Sequence, residues 1–333
     1  MKQIKLGVIL SGGGAKGAYE VGFLKALAEF NIQPDAIAGT SIGALNGAIY
    51  CATKDTKKTA QLLEDLWRDL ANSNVLEIDK ERAVKTIVEV LMHFAPMGNV
   101  TKAGKLLMLS AKGAKSKEGI LTQAPLINRL NKYAPTEKLQ SGLPFHIGLT
   151  KSKGHAIDTK NFLGFGNEET VYKKIQNLKD DEKHIAIMAS ASLPILFDSL
   201  EVEGKIYADG CLSSTDNEWG NTPVKPLIED EKCTHIIICH LNEGSFFNRH
   251  DELFKDTPII EIRPEAGRFN SALDPLMFNV EKIDLWIVQG YKDAKRILAE
   301  SLEAIRGVEK RRIAEDYSQD AVDRLKNREF KLG

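Results

Sequence analysis

Apolar residues follow two rhythms along this chain. Residues 4–10 form a short, nearly unbroken apolar run that meets Gly12, Gly13 and Gly14, which predicts a strand ending in a tight turn. From 18 to 30, Val21, Leu24, Leu27 and Ala28 recur at helical spacing, and Asn31 is a plausible stop. A second short run, Ala36-Ile37-Ala38, leads into GTSIGALNGA, read as strand, turn and helix. The opening is therefore β-α-β-α, which favours a parallel sheet with helices on its faces.

Further on, residues 61–71, 82–94 and 125–133 carry amphipathic helical patterns, with Pro96 and Gly98 ending the second. PFHIGLT (144–150) and GHAIDTKNF (154–162) read as paired strands around residues 151–154. A helix is expected over 184–191, ending near Pro194, and strands at KIYADG (205–210) and from His235. From Ile283 onward, Trp286, Ile287, Tyr291, Ala294, Ile297, Leu298, Leu302 and Ile305 mark one face of a long helix. No internal repeat or low-complexity tract interrupts the pattern.

Composition narrows the class. The 333 residues are 43% hydrophobic and 27% charged, an ordinary globular balance with enough length for a sizeable core. With 45 basic and 46 acidic residues the net charge is -1, so nothing global attracts nucleic acid. No apolar run approaches the roughly 20 residues of a membrane span. Lys2 and Lys5 before the first apolar run suggest a signal peptide, but the run is too short and glycines follow it directly. Cys51, Cys211, Cys233 and Cys239 form no CxxC pair and read as reduced thiols of a cytoplasmic protein.

The turn Gly12-Gly13-Gly14-Ala15-Lys16-Gly17 admits several readings. A P-loop needs a lysine and a hydroxyl where Ala18 and Tyr19 stand, which excludes it. A dinucleotide fingerprint fits Gly12, Gly14 and Gly17, but its ribose-binding acid belongs at the far end of the second strand, and Asp35 precedes that strand. A backbone cradle for an anion, including the oxyanion of acyl transfer, needs only the glycine N–H groups and a helix start. A plain strand-to-helix turn is the alternative.

GTSIG, residues 39–43, matches GxSxG between a predicted strand and helix. Ser41 is a candidate nucleophile there, or a helix cap. A serine nucleophile needs a base. His235 and His240 could be proposed, but only one strand precedes the Ser41 unit, unlike the α/β-hydrolase order, and both lie on or beside a strand-like run where a structural histidine is expected.

Taken together, GGGAKG, GTSIG about 25 residues later and Asp209-Gly210 far downstream resemble the patatin-like phospholipases. GILTQAPL (119–126), Ala189-Ser190-Ala191-Ser192-Leu193-Pro194 and the Asn-x-Pro beginning at Asn221 resemble that family's pattern too, so the likeness runs over about residues 5–245. The resemblance implies an α/β fold: a central, mostly parallel sheet flanked by helices in three layers, over residues 1–275, with a helical extension over 276–333. It implies a lipid acyl hydrolase in which Ser41 is the nucleophile, Asp209 the base, and Gly12, Gly13 and Gly14 the oxyanion donors. Lys16, Gly17, Gly39, Gly43 and Gly210 support the motifs; Lys16 is either a surface charge or a brace for the glycine turn. No histidine, metal or cofactor is required.

Two departures stand out. Cys211 follows Asp209-Gly210 where the family usually has Gly or Ala, and residues 211–220 form a longer loop than expected. Cys211 keeps open a catalytically weak, lipid-binding protein of the same fold. The implied substrate is a phospholipid or lysophospholipid, with no nucleic acid partner. Residues 101–118, where Leu106, Leu107, Met108 and Leu109 lie among five lysines, are a candidate lid or peripheral membrane contact, or else a core helix and solvated loop. Phe246 and Phe247 are a second candidate contact.

Overall fold

The computed structural model describes residues 4–72, 124–154, 157–158, 161, 168–194, 197–212, 219–245, 247–269, 274–276 and 278–329. The helix expected over 82–94, the candidate lid over 101–118, most of GILTQAPL and Phe246 lie outside them.

The chain opens as β1 (Leu6–Leu10), a one-turn 3-10 helix (Gly14–Gly17), α1 (Ala18–Glu29), β2 (Ala36–Thr40), α2 (Ile42–Thr53) and α3 (Thr56–Asn72). After α4 (Ala124–Tyr133) and α5 (Thr136–Gln140) come β3 (Phe145–Lys151), β4 (Thr170–Lys174), α6 (Asp180–Ser190), β5 (Leu200–Val202) and β6 (Lys205–Asp209). Then follow α7 (Lys225–Glu229), β7 (His235–Cys239), β8 (Ile259–Ile262) and α8 (Val280–Glu329). Two compact units divide the chain at Ala294 and Lys295. The first holds the sheet, and the second consists of the later turns of α8 and the residues after it.

Among the described residues the sheet has eight strands in the order β5-β6-β3-β2-β1-β7-β8, with β4 also paired to β3. β1, β2, β3, β7 and β8 pair in parallel; β4 and β6 run antiparallel to β3, and β5 antiparallel to β6. The central strands are buried on both faces, as their continuous apolar runs require: β7 carries Ile236, Ile237, Ile238 and Cys239, each at most 3% exposed. Alternate residues serve opposite layers. Ile9, Ala38, Ile236 and Ile238 pack with Val224 and Leu227 at α7. On the other face, α2 lies so close that a Cβ on Gly47 would meet the Phe145 ring at 2.7 Å and Ile37 at 3.5 Å. The fold is thus α/β with helices on both faces of a mixed, centrally parallel sheet.

The pairing of residues 144–150 with 154–162 is not the one formed. β3 pairs instead with β4, His146 opposite Lys174 through Thr150 opposite Thr170. Ile157 and Asp158 are helical, and Asp158 accepts hydrogen bonds from Ser152 Oγ and Lys153 N, turning the chain out of the sheet. Alternation in a short segment leaves the partner open, and a short acidic side chain can compete with a sheet partner for backbone N–H groups. Phe247 is no surface contact either: it is buried beside Phe254, ring centroids 5.1 Å apart.

Candidate active site

Parallel strands present their carboxyl ends on one edge, and the crevice beyond them is where such sheets bind ligands. β1 ends there in the glycine turn and β2 ends there in Ser41. Ser41 has φ 55° and ψ −124°, a backbone conformation that a residue with a Cβ adopts at a cost. Its flanking glycines make so sharp an elbow feasible. A Cβ on Gly39 would lie 2.4 Å from the Gly43 carbonyl oxygen, and one on Gly43 would lie 2.1 Å from the Leu10 carbonyl oxygen. The GxSxG spacing is therefore a steric requirement of this turn.

Asp209 closes β6 and is 1% exposed. Its Oδ2 accepts a hydrogen bond from Ser41 Oγ at 2.7 Å, and its Oδ1 accepts one from the Cys211 N–H at 2.9 Å. Burial pushes its carboxyl up to about 6, against the opposing pull of the Cys211 N–H, the Ser41 hydroxyl and the Cys211 thiol. Residue 211 can thus be larger than Gly or Ala without displacing the carboxylate. The glycine that cannot change is Gly210, where a Cβ would sit 2.3 Å from the Gly148 carbonyl oxygen.

The short segment after Met188 fastens the backbone of both residues. Ser190 Oγ accepts from the Ser41 N–H at 3.0 Å and donates to the Gly148 carbonyl at 2.7 Å, while the Ser192 carbonyl accepts from the Asp209 N–H at 3.0 Å. A second brace comes from the Asn-x-Pro loop. Thr40 Oγ1 donates to the Gly220 carbonyl at 2.6 Å, and Asn221 Oδ1 accepts from the Gly12 N–H at 2.9 Å. Sequence reasoning noticed these segments but assigned them no role. It passed over Gly148 altogether, although a lone glycine inside a strand signals a close backbone approach.

The glycine turn lies against the serine, since a Cβ on Gly12 would be 2.9 Å from Ser41 Cβ. Its three expected donors are not equivalent. The Gly12 N–H is engaged by Asn221, whereas those of Gly13 and Gly14 have no partner among the described residues. Gly14 has φ 59°, and a Cβ there would meet the Pro275 carbonyl oxygen at 2.4 Å. Lys16 is buried, not at the surface. Its ammonium donates to Asn242 and sits 5.4 Å from the centroid of the Phe269 ring. Burial lowers it to about 8, with the charge of Asp274 acting the other way. Gly17 closes the turn against α2: its carbonyl accepts from Asn46 Nδ2 at 3.1 Å, and a Cβ there would meet Ile42 at 2.6 Å.

Other candidates stand elsewhere. His235 Nδ1 is hydrogen-bonded to Thr234 Oγ1 and His240 Nε2 to Glu261 Oε2, while Ser41 Oγ donates to Asp209 and to neither histidine. Asp35 accepts from the Leu6 N–H at the opposite end of the strands. Among the described residues no group of three or more His, Cys, Asp or Glu is placed to hold a metal, and no helix is long and apolar enough to cross a membrane.

Parts of the chain are similar to known proteins. A patatin-like phospholipase domain-containing protein of Caenorhabditis elegans is 38% identical over 76 residues, 23% of this chain and 7% of its own length. Lysophospholipase nte1 of Aspergillus terreus is 46% identical over 70 residues, 19% of this chain and 5% of its own length. The chain thus matches only a small part of these proteins. Among solved structures, VipD from Legionella pneumophila is similar at a TM-score of 0.42 and 14% identity, covering 90% of this chain and 67% of that one. The model of the patatin-like phospholipase family matches residues 8–227, about two thirds of the sequence and the whole of the site from the glycine turn to the Asn-x-Pro loop, and this chain belongs to that family.

Proposed function

We propose that the chain is a carboxylic ester hydrolase acting on the acyl chains of phospholipids or lysophospholipids, with Ser41 as nucleophile and Asp209 as base. The carrying observation is the 2.7 Å hydrogen bond from Ser41 Oγ to Asp209 Oδ2 beside the N–H groups of Gly13 and Gly14, which have no partner among the described residues. Family membership and relatives that include a lysophospholipase support the substrate class.

In the first half-reaction Ser41 Oγ attacks the ester carbonyl carbon and its proton passes to Asp209, which is within general-base distance. The carbonyl oxygen takes the negative charge and is held by the Gly13 and Gly14 N–H groups; Gly12 supports the turn and does not donate to the oxyanion. Collapse breaks the ester C–O bond, and the leaving alkoxide takes the proton from Asp209. A water then attacks the acyl-enzyme, gives its proton to Asp209 and releases the fatty acid as Ser41 recovers its hydrogen. Burial suits Asp209 to this role, because a carboxylate raised to about 6 is a stronger base yet ionised at neutral pH. The Ser41–Asp209 hydrogen bond, formed with Cys211 in place, favours an active enzyme over a binding protein. Contact with the lipid is peripheral in this reading.

The test is hydrolysis of lysophosphatidylcholine with labelling by a fluorophosphonate probe. Wild type should label and hydrolyse, and Ser41→Ala should do neither. Hydrolysis surviving in a folded Asp209→Asn protein would remove the aspartate from the mechanism.

A further inference from the structure

β1 and β7 run side by side to the carboxyl edge of the sheet, Leu10 opposite Cys239, and stay together past it. The Ser11 N–H donates to the Cys239 carbonyl at 3.2 Å. Farther along, Leu241 packs so closely on Gly13 that a Cβ on the glycine would lie 2.8 Å from the leucine Cβ. Next comes Asn242, whose Oδ1 accepts from the Lys16 ammonium. The loop bearing Leu241 and Asn242 is tied down from its far side. The His240 N–H donates to the Ile262 carbonyl at 2.9 Å, the buried His240 ring is hydrogen-bonded to Glu261 at 3.0 Å, and Arg263 donates to the Ser245 carbonyl. The loop is therefore anchored on β8 and the residue after it, independently of the glycine turn that it touches.

We infer that Asn242 is a positioning residue for the oxyanion donors, acting through Lys16 on the Gly13–Gly14 peptide; the inference rests on the proposed ester hydrolysis at Ser41. Lys16 is 5% exposed, and an ammonium so deeply buried needs a hydrogen-bond acceptor. Phe269 offers it only a ring, 5.4 Å away at the centroid, and Asp274, whose charge acts on Lys16, pairs with Lys282 at 3.6 Å. Asn242 supplies the hydrogen bond and so decides where the lysine side chain lies. The Lys16 backbone in turn sets the peptide that matters. Its N–H donates to the Gly13 carbonyl at 3.3 Å. Across that planar trans peptide the Gly14 N–H points the opposite way, out of the turn. Glycines left to themselves sample many conformations, whereas an oxyanion hole works by holding its donors in place beforehand. Asn221 holds the turn at the Gly12 N–H, and Asn242 holds it at Lys16. Asn242 lies beyond residue 227, so this second clamp comes from a part of the chain that the family match does not reach.

The experiment is steady-state hydrolysis of p-nitrophenyl butyrate, with the rate of fluorophosphonate labelling, in variants whose circular dichroism matches wild type. Asn242→Leu removes the acceptor and should lower kcat at least ~10-fold while KM stays within about twofold, with labelling slowed to match. Asn242→Asp keeps an acceptor oxygen and should hold both readouts within about threefold of wild type. Lys16→Met should lower kcat as well. The double variant Lys16→Met/Asn242→Leu should lose no more than Lys16→Met alone, because both changes cut one connection. If Asn242→Leu does not fold, Asn242→Ala takes its place in each comparison. The proposal is overturned by an unchanged kcat in the folded Asn242 variant, by Asn242→Asp as slow as that variant, or by losses that multiply in the double variant. Hydrolysis and labelling that persist in Ser41→Ala have a different target: they remove the proposed function, and the positioning role falls with it.

Discussion

Thr40 and Asp209, the last residues of β2 and β6, stand opposite consecutive residues of β3, Gly148 and Leu149. β4 occupies the other edge of β3 along residues 146–150, so β2 and β6 must share the remaining edge, β2 running parallel to β3 and β6 antiparallel. The two strands point at each other along a common ruler and stop where they meet. Ser41 and Asp209, 168 positions apart in sequence, come into contact because β3 sets both registers at once.

Loss of either member of the pair should abolish turnover. Ser41→Ala and Asp209→Asn are each expected to reduce kcat on p-nitrophenyl butyrate by at least ~10³-fold, as removal of parts of a nucleophile–base unit does. Circular dichroism of both variants should match wild type, since neither substitution adds bulk.

The elevated carboxyl of Asp209 gives activity a pH dependence. The base works ionised, so kcat/KM should rise with pH and reach half its plateau near pH 6. Stability should move the other way. The native carboxyl holds its proton up to about pH 6 and the unfolded one only to about 3.8, so between those values the native state binds more protons and stability falls as pH rises. The loss is complete above pH 6 and is on the order of 3 kcal/mol by the usual 1.36 kcal/mol per unit. Asp209→Asn should therefore raise Tm at pH 7.5 and leave it nearly unchanged at pH 4, by thermal melts at both.

The nucleophile elbow should be intolerant of a single methyl. Gly43→Ala would press a Cβ against the Leu10 carbonyl oxygen and should cost ~3 kcal/mol or more in urea unfolding. Gly244→Ala, where a Cβ meets nothing within 4 Å, should stay within ~0.5 kcal/mol.

Asn221 should act on catalysis through the glycine turn. Asn221→Ala removes the acceptor of the Gly12 N–H and frees the turn to shift. An ångström of misplacement costs on the order of 10²-fold, so kcat should fall ~10- to 100-fold with a smaller change in KM, measured by steady-state kinetics.

Cys211 should prove dispensable. Its N–H, which any residue but proline supplies, makes the 2.9 Å bond to Asp209, so Cys211→Ala should keep activity within about threefold. Burial and the neighbouring Asp209 carboxylate push its thiol well above the usual range. Iodoacetamide at pH 8 should therefore leave activity intact, and rapid inactivation through this thiol would contradict that placement.

By itself the sequence determined what depends on neighbours along the chain. Unbroken apolar runs and a glycine-dense turn specify the β-α-β-α opening, because strand, turn and helix are each settled within a few residues. Gly39, Ser41 and Gly43 disclose an elbow for the same reason, and the family likeness names Asp209. Tertiary structure alone decided who meets whom. The residues at 154–162 alternate as a strand would, yet β4 takes the place beside β3, and Phe247 turns inward onto Phe254. Likewise the Gly12 N–H is claimed by Asn221, 209 positions away, a partner that no local pattern names. Such pairings join hydrogen-bonding groups that every residue carries alike, so the choice among them rests on the packing of the whole sheet and not on any local pattern.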